Sequence, residues 1–336
     1  MNLKEFAARL GLSQTTVSRA LSGYPEVKKA TRERVEKAAQ EFGYRPNTHA
    51  LGLATGRVGS VGLIFKGDDF GPLASEFISG LGARLREDDV DILISTVDSL
   101  EAELDIYRRL AASKRVDAII LHTPVTDDPR IHLLLQLGLP FVLHGRSETC
   151  GDYGYLDIDN FGAFHQATSH LADLGHRRIA LVNGDLVSNF AQKREQGYCT
   201  ALKERGIAID PAFFGNGDFT DEMGFRLMQG FLRLGERPTA VLAGSMMSAL
   251  GVMRAIRIAG LTVGRDISLI AHDDVFSYIS PDNLVPTLST TRSSIRAAGA
   301  SVGDMVLKLL QGVPARELRE VWPVELVIRR SSSPPV

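Results

Sequence analysis

From Val58 to the end of the chain, short apolar segments alternate with longer amphipathic ones, and this alternation constrains the fold more than any other feature. The short segments are rich in Val, Ile and Leu, which is typical of strands buried on both faces. Strand–helix alternation predicts parallel sheets with helices packed on both sides. The predicted strands are SVGLIF, VDILIST, VDAIILH, LPFVLHG, RIALVNG, PTAVLAG and DISLIAH; the predicted helices include SEFISGLGARLRE, AELDIYRRLAAS, AFHQATSHLADLG and KREQGYCTALKERG.

A weak internal repeat divides this region into two halves. KRVDAIILHTP and ERPTAVLAGSM each follow a helical segment with a short break, and RIALVNG begins the second half as SVGLIF begins the first. A chain of 336 residues is also longer than one typical core. The predicted fold class is therefore α/β, with two doubly wound parallel-sheet subdomains behind a separate N-terminal all-α head.

The head begins with two short helices joined by a glycine-containing turn. The first runs from Leu3 to Leu10 and ends at Gly11, with Leu3, Phe6, Ala7 and Leu10 on one face. Ser13 is suited to cap a second helix that runs to about Leu21 and buries Val17, Ala20 and Leu21. The opposite face of the second helix carries short polar side chains near its N-terminus, which suits entry into the major groove of DNA.

A third helix supports the first two. Thr31 is predicted to cap it, Val35, Ala38, Ala39 and Phe42 to face inward, and Gly43 to end it. Three helices in this order predict a helix-turn-helix. A small helical cap with a solvated polar face is the alternative that composition alone leaves open.

Charge separates the head from the rest of the chain. Residues 1–58 hold ten Lys and Arg against five Glu, a net charge of +5. Because the whole chain has a net charge of −2, the remainder has a net charge of −7. A basic head on an acidic body predicts a polyanionic partner for the head. Two cysteines without paired spacing, the lack of 18 consecutive apolar residues and a charged N-terminus predict a cytoplasmic protein with no membrane span.

The segment LKEFAARLGLSQTTVSRALSG…VKKATRERVEKAAQEFGYRPN resembles the headpiece of the lactose-repressor/galactose-repressor (LacI/GalR) family of bacterial transcription regulators. The motifs T-V-S-R, T-R-x-R-V and G-Y-x-P-N occur in the family order and spacing. The resemblance implies base and phosphate contacts from the head, with Gln14 and Thr15 at the most specificity-determining positions. The implied head contacts are Leu3, Ser13, Gln14, Thr15, Thr16, Ser18, Arg19, Lys28 and Thr31.

The same resemblance implies a hinge that folds on operator DNA. The segment NTHALGLATGR occupies the hinge, and Leu53 is the expected wedge in the minor groove. Leu51-Gly52 departs from the Arg-Ser pair that is common in the family, and a plain interdomain linker is the alternative. The implied hinge contacts are Asn47, Ala50, Leu53 and Ala54. The expected domains are 1–46 for the head, 47–57 for the hinge and 58–336 for effector binding and dimerisation.

LADLGHRRIALVNG, DISLIAHDD and PTLSTTR resemble the periplasmic-binding-protein-like core of the same family. In doubly wound sheets, ligands bind beyond the carboxyl ends of the strands. The resemblance implies a carbohydrate effector, with an α-glucoside-type sugar as one candidate. The implied contacts are Arg194, Asp273, Phe219, Phe190, His144, Arg146, Asp159, Ser245 and Ile295. Gly244-Ser245-Met246-Met247 replaces the family's Asn-Asp and predicts a more apolar wall.

Binding, not catalysis, is the expected chemistry. The scattered histidines form no i, i+4 ligand pair, and Asp273-Asp274 at a strand end point to opposite faces, so no metal, cofactor or acid/base dyad is predicted. The expected protein is a homodimeric regulator, a repressor of carbohydrate uptake or catabolism genes. The alternatives are an exported sugar-binding protein, which requires a signal peptide, and a cytosolic sugar-binding or sugar-converting protein without DNA-mediated regulation. The C-terminal IRRSSSPPV contains no leucine heptads for a tetramer.

Overall fold

The computed structural model describes residues 1–21, 24–44, 57–67, 71–272 and 276–336. Within residues 1–21 and 24–44, the head contains three helices, α1, α2 and α3, at Leu3–Leu10, Gln14–Leu21 and Lys29–Phe42. Their core is built from Phe6, Ala7, Leu10, Val17, Ala20, Val35, Ala38 and Tyr44. The backbone N–H of Thr16 donates to Ser13 Oγ at 3.0 Å, which confirms Ser13 as the cap of α2.

Two details of the predicted third helix are wrong. The helix begins at Lys29 after Lys28, so Thr31 lies inside the first turn and its N–H donates to the Lys28 carbonyl at 2.9 Å. Phe42 is 47% exposed and does not face inward. The left-handed backbone at Gly43 turns the chain so that Tyr44 takes the inner position, where its ring stacks on Phe6 at 4.2 Å.

Over the described residues from 57 onward, the body contains two six-stranded sheets. The first has the order β2-β1-β3-β4-β5-β11 and the second β7-β6-β8-β9-β10-β12. The first sheet's strands β1 to β5 and β11 are Ser60–Lys66, Asp91–Val97, Ala118–His122, Phe141–His144, Gly154–Ile158 and Arg319–Trp322. The second sheet's strands β6 to β10 and β12 are Ile179–Asn183, Phe214–Asn216, Ala240–Ala243, Ser268–His272, Ser289–Arg292 and Glu325–Val327. The shared order confirms the predicted doubly wound halves.

Helices cover both faces of each sheet, as the alternation predicted. On the first sheet, α4 and α11 pack on one face and α5 and α6 on the other; on the second, α9 and α10 oppose α7 and α8. Helices α4 to α7 are Pro72–Arg86, Leu100–Ser113, Pro129–Leu137 and Asn160–Asp173. Helices α8 to α11 are Asn189–Glu204, Asp221–Leu232, Met246–Ile258 and Ile295–Leu310.

The chain crosses between the two subdomains three times. Strand β5 of the first sheet leads into α7 of the second subdomain, and β10 of the second sheet leads into α11 of the first. Strand β11 then pairs with β5, and after two residues β12 pairs with β10. Val125 and Ser188, just beyond the carboxyl ends of β3 and β6, pair with each other, so these ends of the two sheets face one another across the space that we call the cleft.

Candidate functional site

The outward face of α2 is polar at its N-terminal end. Ser13, Gln14, Thr15 and Arg19 are exposed, whereas Thr16 and Ser18 are partly covered. Ser13 Oγ also lies 2.8 Å from Thr16 Oγ1. The helix is fixed from below by Val17 and Ala20, so its short polar side chains project from a rigid support. This surface has the shape and chemistry that major-groove readout requires.

The other predicted DNA contacts are more dispersed. Leu3 packs partly on the head core, Lys28 is exposed immediately before α3, and Thr31 is partly covered in the first turn of α3. The four hinge residues Asn47, Ala50, Leu53 and Ala54 lie outside the described residues.

The two sides of the cleft are joined at its edge by contacts that we call the cleft bridge. Val125, beyond β3, forms an antiparallel bridge with Ser188, beyond β6. The Thr126 hydroxyl donates to Gln192 Oε1 at 3.2 Å, and Lys193 Nζ donates to Glu148 Oε1 at 3.0 Å. The first turns of α8 therefore touch the opposite subdomain directly.

Arg194 lies in the second turn of α8 and is 4% exposed. Its Nε donates to Asn160 Oδ1 at 2.7 Å, and its Nη1 donates to the Gly244 carbonyl at 2.9 Å. Helix α8 approaches α7 closely because residue 197 is glycine: a Cβ there would lie 2.2 Å from the Phe161 carbonyl oxygen. That approach brings Arg194 to the N-terminus of α7.

Aromatic rings surround the Arg194 guanidinium. Its carbon lies 4.8 Å from the centre of the Phe190 ring and 5.6 Å from that of Phe219, and the two ring centres are 5.9 Å apart. A Cβ at Gly184 would approach both rings to 3.0 Å, so a glycine at the end of β6 leaves the space they fill. A cation held against ring faces gains electrostatic stabilisation. The structure thus brings together the three side chains Arg194, Phe190 and Phe219.

Ser245 lies next to this group, but its hydroxyl oxygen already accepts a hydrogen bond from a backbone N–H. It is fully buried, caps α10 by accepting the Ser248 N–H at 3.1 Å, and lies 3.0 Å from the Ser248 hydroxyl. Met246 is buried in the core of the second subdomain, whereas Met247 is partly buried against it. Asp273, the predicted acceptor beyond β9, lies outside the described residues.

The opposite side of the cleft presents a pair of histidines. His144 ends β4 and its Nδ1 lies 2.9 Å from Nδ1 of His122, the last residue of β3; the His144 ring stacks on Phe77 at 4.4 Å. Burial lowers the pKa of His122 to about 4, and burial followed by the charge of its partner holds the pKa of His144 well below its usual value. Both imidazoles are neutral at pH 7, and one donates a hydrogen bond to the other.

The remaining predicted contacts are engaged within the scaffold. Arg146 Nε lies 3.5 Å from Asp157 Oδ2, and Asp159 caps α7 by accepting the Gly162 N–H at 2.8 Å. Ile295 packs against the core of the first subdomain. The structure therefore does not bring these three side chains into the Arg194 group.

Sequence reasoning missed Asn160 and His122. Asn160 directly follows Asp159 in D-I-D-N, but nothing in the local pattern connects it with an arginine 34 positions later. His122 ends a predicted strand, and its equivalence to His144 follows only from the register of β3 against β4. Comparing the last residues of neighbouring predicted strands would have found the pair.

Neither metal chemistry nor a membrane span finds support in the part of the chain that the structure describes. Within residues 1–21, 24–44, 57–67, 71–272 and 276–336, no three His, Cys, Asp or Glu side chains are grouped to hold a metal ion. Over the same residues, no helix combines the length and the apolar character that crossing a membrane requires.

Comparison with known families matches both parts of the chain. The family described as "Bacterial regulatory proteins, lacI family" matches residues 2–47, and "Periplasmic binding protein-like domain" matches residues 168–332. The HTH-type transcriptional regulator AglR of Rhizobium meliloti (strain 1021) is 46% identical over 338 residues, which cover 99% of this chain and 95% of AglR. The HTH-type transcriptional regulator RafR of Escherichia coli is 34% identical over 329 residues, 96% of each chain.

Solved structures extend the similarity to the whole fold. The lac repressor dimer bound to operator and the anti-inducer ONPF has a TM-score of 0.84 at 28% identity, over 99% of both chains. The complex of the transcriptional regulator CelR with cellobiose has a TM-score of 0.74 at 28% identity, over 99% of this chain and 100% of that one.

These relatives are named as transcriptional regulators and not as enzymes, which agrees with the expectation of binding chemistry. The predicted family and fold class are confirmed by matches to both the head and the body. The chain belongs to the lacI family of bacterial regulatory proteins.

Proposed function

We propose that this protein is a sequence-specific DNA-binding transcriptional regulator, a repressor of carbohydrate uptake or catabolism genes. A small sugar bound in the cleft changes its affinity for operator DNA. The observation that carries the proposal is the Arg194 guanidinium against the Phe190 and Phe219 rings, in one chain with a helix-turn-helix whose second helix exposes Gln14 and Thr15. No metal or cofactor is part of the proposal.

A sugar fits the chemistry of the Arg194 group. Its ring has an apolar face that packs on an aromatic ring, and its hydroxyls need fixed donors and acceptors. Arg194 is the fixed donor, Phe219 and Phe190 are the platform, and Asp273 is the proposed acceptor. His144, Arg146, Asp159, Ser245 and Ile295 remain proposed contacts, with an α-glucoside-type sugar as one candidate.

The response follows from differential binding. A ligand that contacts both subdomains stabilises the closed cleft and shifts the population of chains that bind DNA. The proposed domains are 1–46, 47–57 and 58–336, with Leu53 as the minor-groove wedge of the hinge. The lac repressor dimer bound to operator supports a homodimer here, because two heads on neighbouring half-sites multiply the affinity of one. A cytoplasmic location accords with DNA as the partner.

The direct test measures operator affinity of the full chain with and without each sugar of a panel. The panel contains α-glucosides, α-galactosides and the β-glucoside cellobiose. Binding of a sugar with a change in operator affinity supports the regulator. Turnover of a sugar, or sugar binding without any DNA binding, would favour the alternative of a sugar-converting or sugar-binding protein.

A second test concerns the head. Exchanging Gln14 and Thr15 is expected to change the preferred half-site, since one mismatched base pair costs roughly 1–3 kcal/mol. Selection from a random operator library measures the preference. Lys37, an exposed residue on α3, provides a control whose substitution by Gln should leave the selected sequence unchanged. An unchanged consensus in the Gln14/Thr15 double variant would contradict the assignment.

A further inference from the structure

We propose that Asn160 and Asp157 are positioning residues for Arg194, and that they connect the sugar-binding arginine with the crossover from β5 to α7. The proposal rests on the proposed function and deepens it. It explains how the orientation of Arg194 is linked to the position of the opposite subdomain.

The first step is the orientation of the guanidinium. Nε of Arg194 donates to Asn160 Oδ1 at 2.7 Å and Nη1 donates to the Gly244 carbonyl at 2.9 Å. Two hydrogen bonds to separate acceptors define the plane of a rigid, planar group. Asn160 and Arg194 are each 4% exposed, so water does not replace either acceptor easily.

The second step is the orientation of the Asn160 amide. Its Nδ2 donates to Asp157 Oδ1 at 3.3 Å and to the Ile158 carbonyl at 3.2 Å. An amide has donors on one side and an acceptor on the other, so two acceptors at Nδ2 force Oδ1 toward Arg194. Asp157 thereby controls Arg194 without contacting it in a hydrogen bond, and it is itself 5% exposed.

The third step is the location of this chain of contacts. Asp157 lies in β5 of the first sheet, where it pairs with Val321 of β11. Asn160 begins α7 of the second subdomain, and α7 packs on α8, which carries Arg194. The chain Asp157–Asn160–Arg194 therefore spans the crossover, and Arg146 Nε adds a contact of 3.5 Å on the side of the first subdomain. A rotation of the crossover changes the direction of the guanidinium, and binding at the guanidinium restrains the rotation.

The main test compares sugar affinity in variants of the full chain. Asn160→Ala is expected to weaken the binding of the cognate sugar about 10- to 100-fold, the effect of losing a buried hydrogen bond to a charged group. Asn160→Asp alone places two carboxylates side by side and should also weaken binding. Asp157→Asn with Asn160→Asp exchanges donor and acceptor between positions 157 and 160 but loses the donor to the Ile158 carbonyl, so the double variant should bind the sugar more tightly than Asn160→Asp alone without reaching the wild-type affinity. Failure of the exchange to rescue would overturn the proposal.

A double-mutant cycle of positions 160 and 194 distinguishes a role of Asn160 in positioning Arg194 from a general role in supporting the fold. In an Arg194→Met background no donor to Asn160 Oδ1 remains, so Asn160→Ala should change sugar affinity by less than about 2-fold. An equal loss in both backgrounds would show that Asn160 only supports the fold. Thr168→Val is the matched control: it removes another buried hydrogen bond of α7, from the Thr168 hydroxyl to the Phe164 carbonyl, and should leave sugar affinity unchanged.

A measurement without sugar tests the positioning by itself. The Arg194 Nε–H proton should exchange slowly with water in wild-type protein and in the exchange variant, and rapidly in Asn160→Ala. Nitrogen-15 NMR of arginine side chains reports this. A wild type that binds no sugar would overturn the proposed effector class, whereas rapid exchange in the wild type would overturn the positioning.

Discussion

The two sides of the cleft use opposite electrostatic solutions. On the second subdomain, the buried cation of Arg194 is held by the Asn160 and Gly244 oxygens and lies against the rings of Phe190 and Phe219. On the first subdomain, the ends of the neighbouring strands β3 and β4 carry His122 and His144, which are neutral and bonded to each other. The histidines are the last residues of β3 and β4, whereas Arg194 lies on helix α8.

The difference suggests separate roles for the two subdomains in ligand binding. A buried charge is stable only with fixed partners, so the second subdomain holds the Arg194 guanidinium in a fixed orientation, which under the proposed function anchors the sugar. The first subdomain carries two neutral groups that satisfy one another's hydrogen bonding. We expect the second subdomain to set affinity and the first to set the extent of closure.

Removing the anchor should have the largest effect. Arg194→Ala leaves Asn160 Oδ1 and the Gly244 carbonyl without their donor as well as removing the ligand contact, so sugar binding should weaken by about 2–5 kcal/mol. Sugar-free operator affinity should stay at the wild-type level, because the head does not contain this residue. Calorimetric titration with sugar and operator titration measure the two quantities. A wild-type response to sugar would place the site elsewhere.

Acid should destabilise the side that carries the histidine pair. The pKa of His122 is about 4 in the folded protein and about 6.5 when unfolded, so between these values the unfolded chain binds protons that the folded chain excludes. The stability that the folded protein gains by keeping His122 neutral is present above pH 6.5. It is lost as the pH falls toward 4, by at most about 1.4 kcal/mol per pH unit. Denaturant unfolding from pH 7 to pH 4.5 measures it.

The control for the histidine pair is the double variant His122→Gln with His144→Phe. Burial also lowers the pKa of His170, His176 and His272, but these titrate in both proteins. The wild type should therefore lose more stability with acid than the double variant. Parallel pH profiles would contradict the neutral pair and remove the contrast between the two sides.

The aromatic platform should contribute less than the cation. Phe219→Ala removes one ring face near Arg194 and should weaken sugar binding by about 1–1.5 kcal/mol. Phe219→Tyr keeps the ring and should stay within a factor of about 3, or roughly 0.7 kcal/mol. Titration of both variants with the cognate sugar measures the difference. Equal affinities of the Ala and Tyr variants would show that the ring does not contact the ligand.

The cleft bridge should have the smallest effect. Lys193 and Glu148 form a partly exposed ion pair, and such pairs contribute about 0.2–1 kcal/mol. Glu148→Gln should weaken sugar binding slightly at low salt and not at high salt, since ions screen exposed charges. Arg205 and Asp173, a pair confined to the second subdomain, provide the control through Asp173→Asn. A large effect that salt does not reduce would assign closure to this pair instead.

Local patterns were sufficient for much of the fold. The periodicity of α1 and α2, the Ser13 cap and the alternation of apolar strands with helices all depend on residues close in sequence. Resemblance to a family added Arg194, Phe190 and Phe219, which the structure brings together. Their role toward a ligand, like that of the head residues toward DNA, stays a prediction.

Local sequence patterns did not predict structure that depends on contacts with residues elsewhere in the fold. Phe42 and Tyr44 compete for one inner position, and the backbone at Gly43 selects Tyr44. Strands β11 and β12 are short and largely exposed, with little apolar signal, and they exist because β5 and β10 offer edges to pair with.

The sequence by itself therefore determined the class of fold, the helix-turn-helix head, the two matching halves and the family. Only the tertiary structure decided the three crossovers, the pairing of His122 with His144 and the contact of Asn160 with Arg194. The physical reason is the range of the interactions: helix periodicity and capping act within a few residues, whereas strand pairing and buried hydrogen bonds join residues 22 to 164 positions apart.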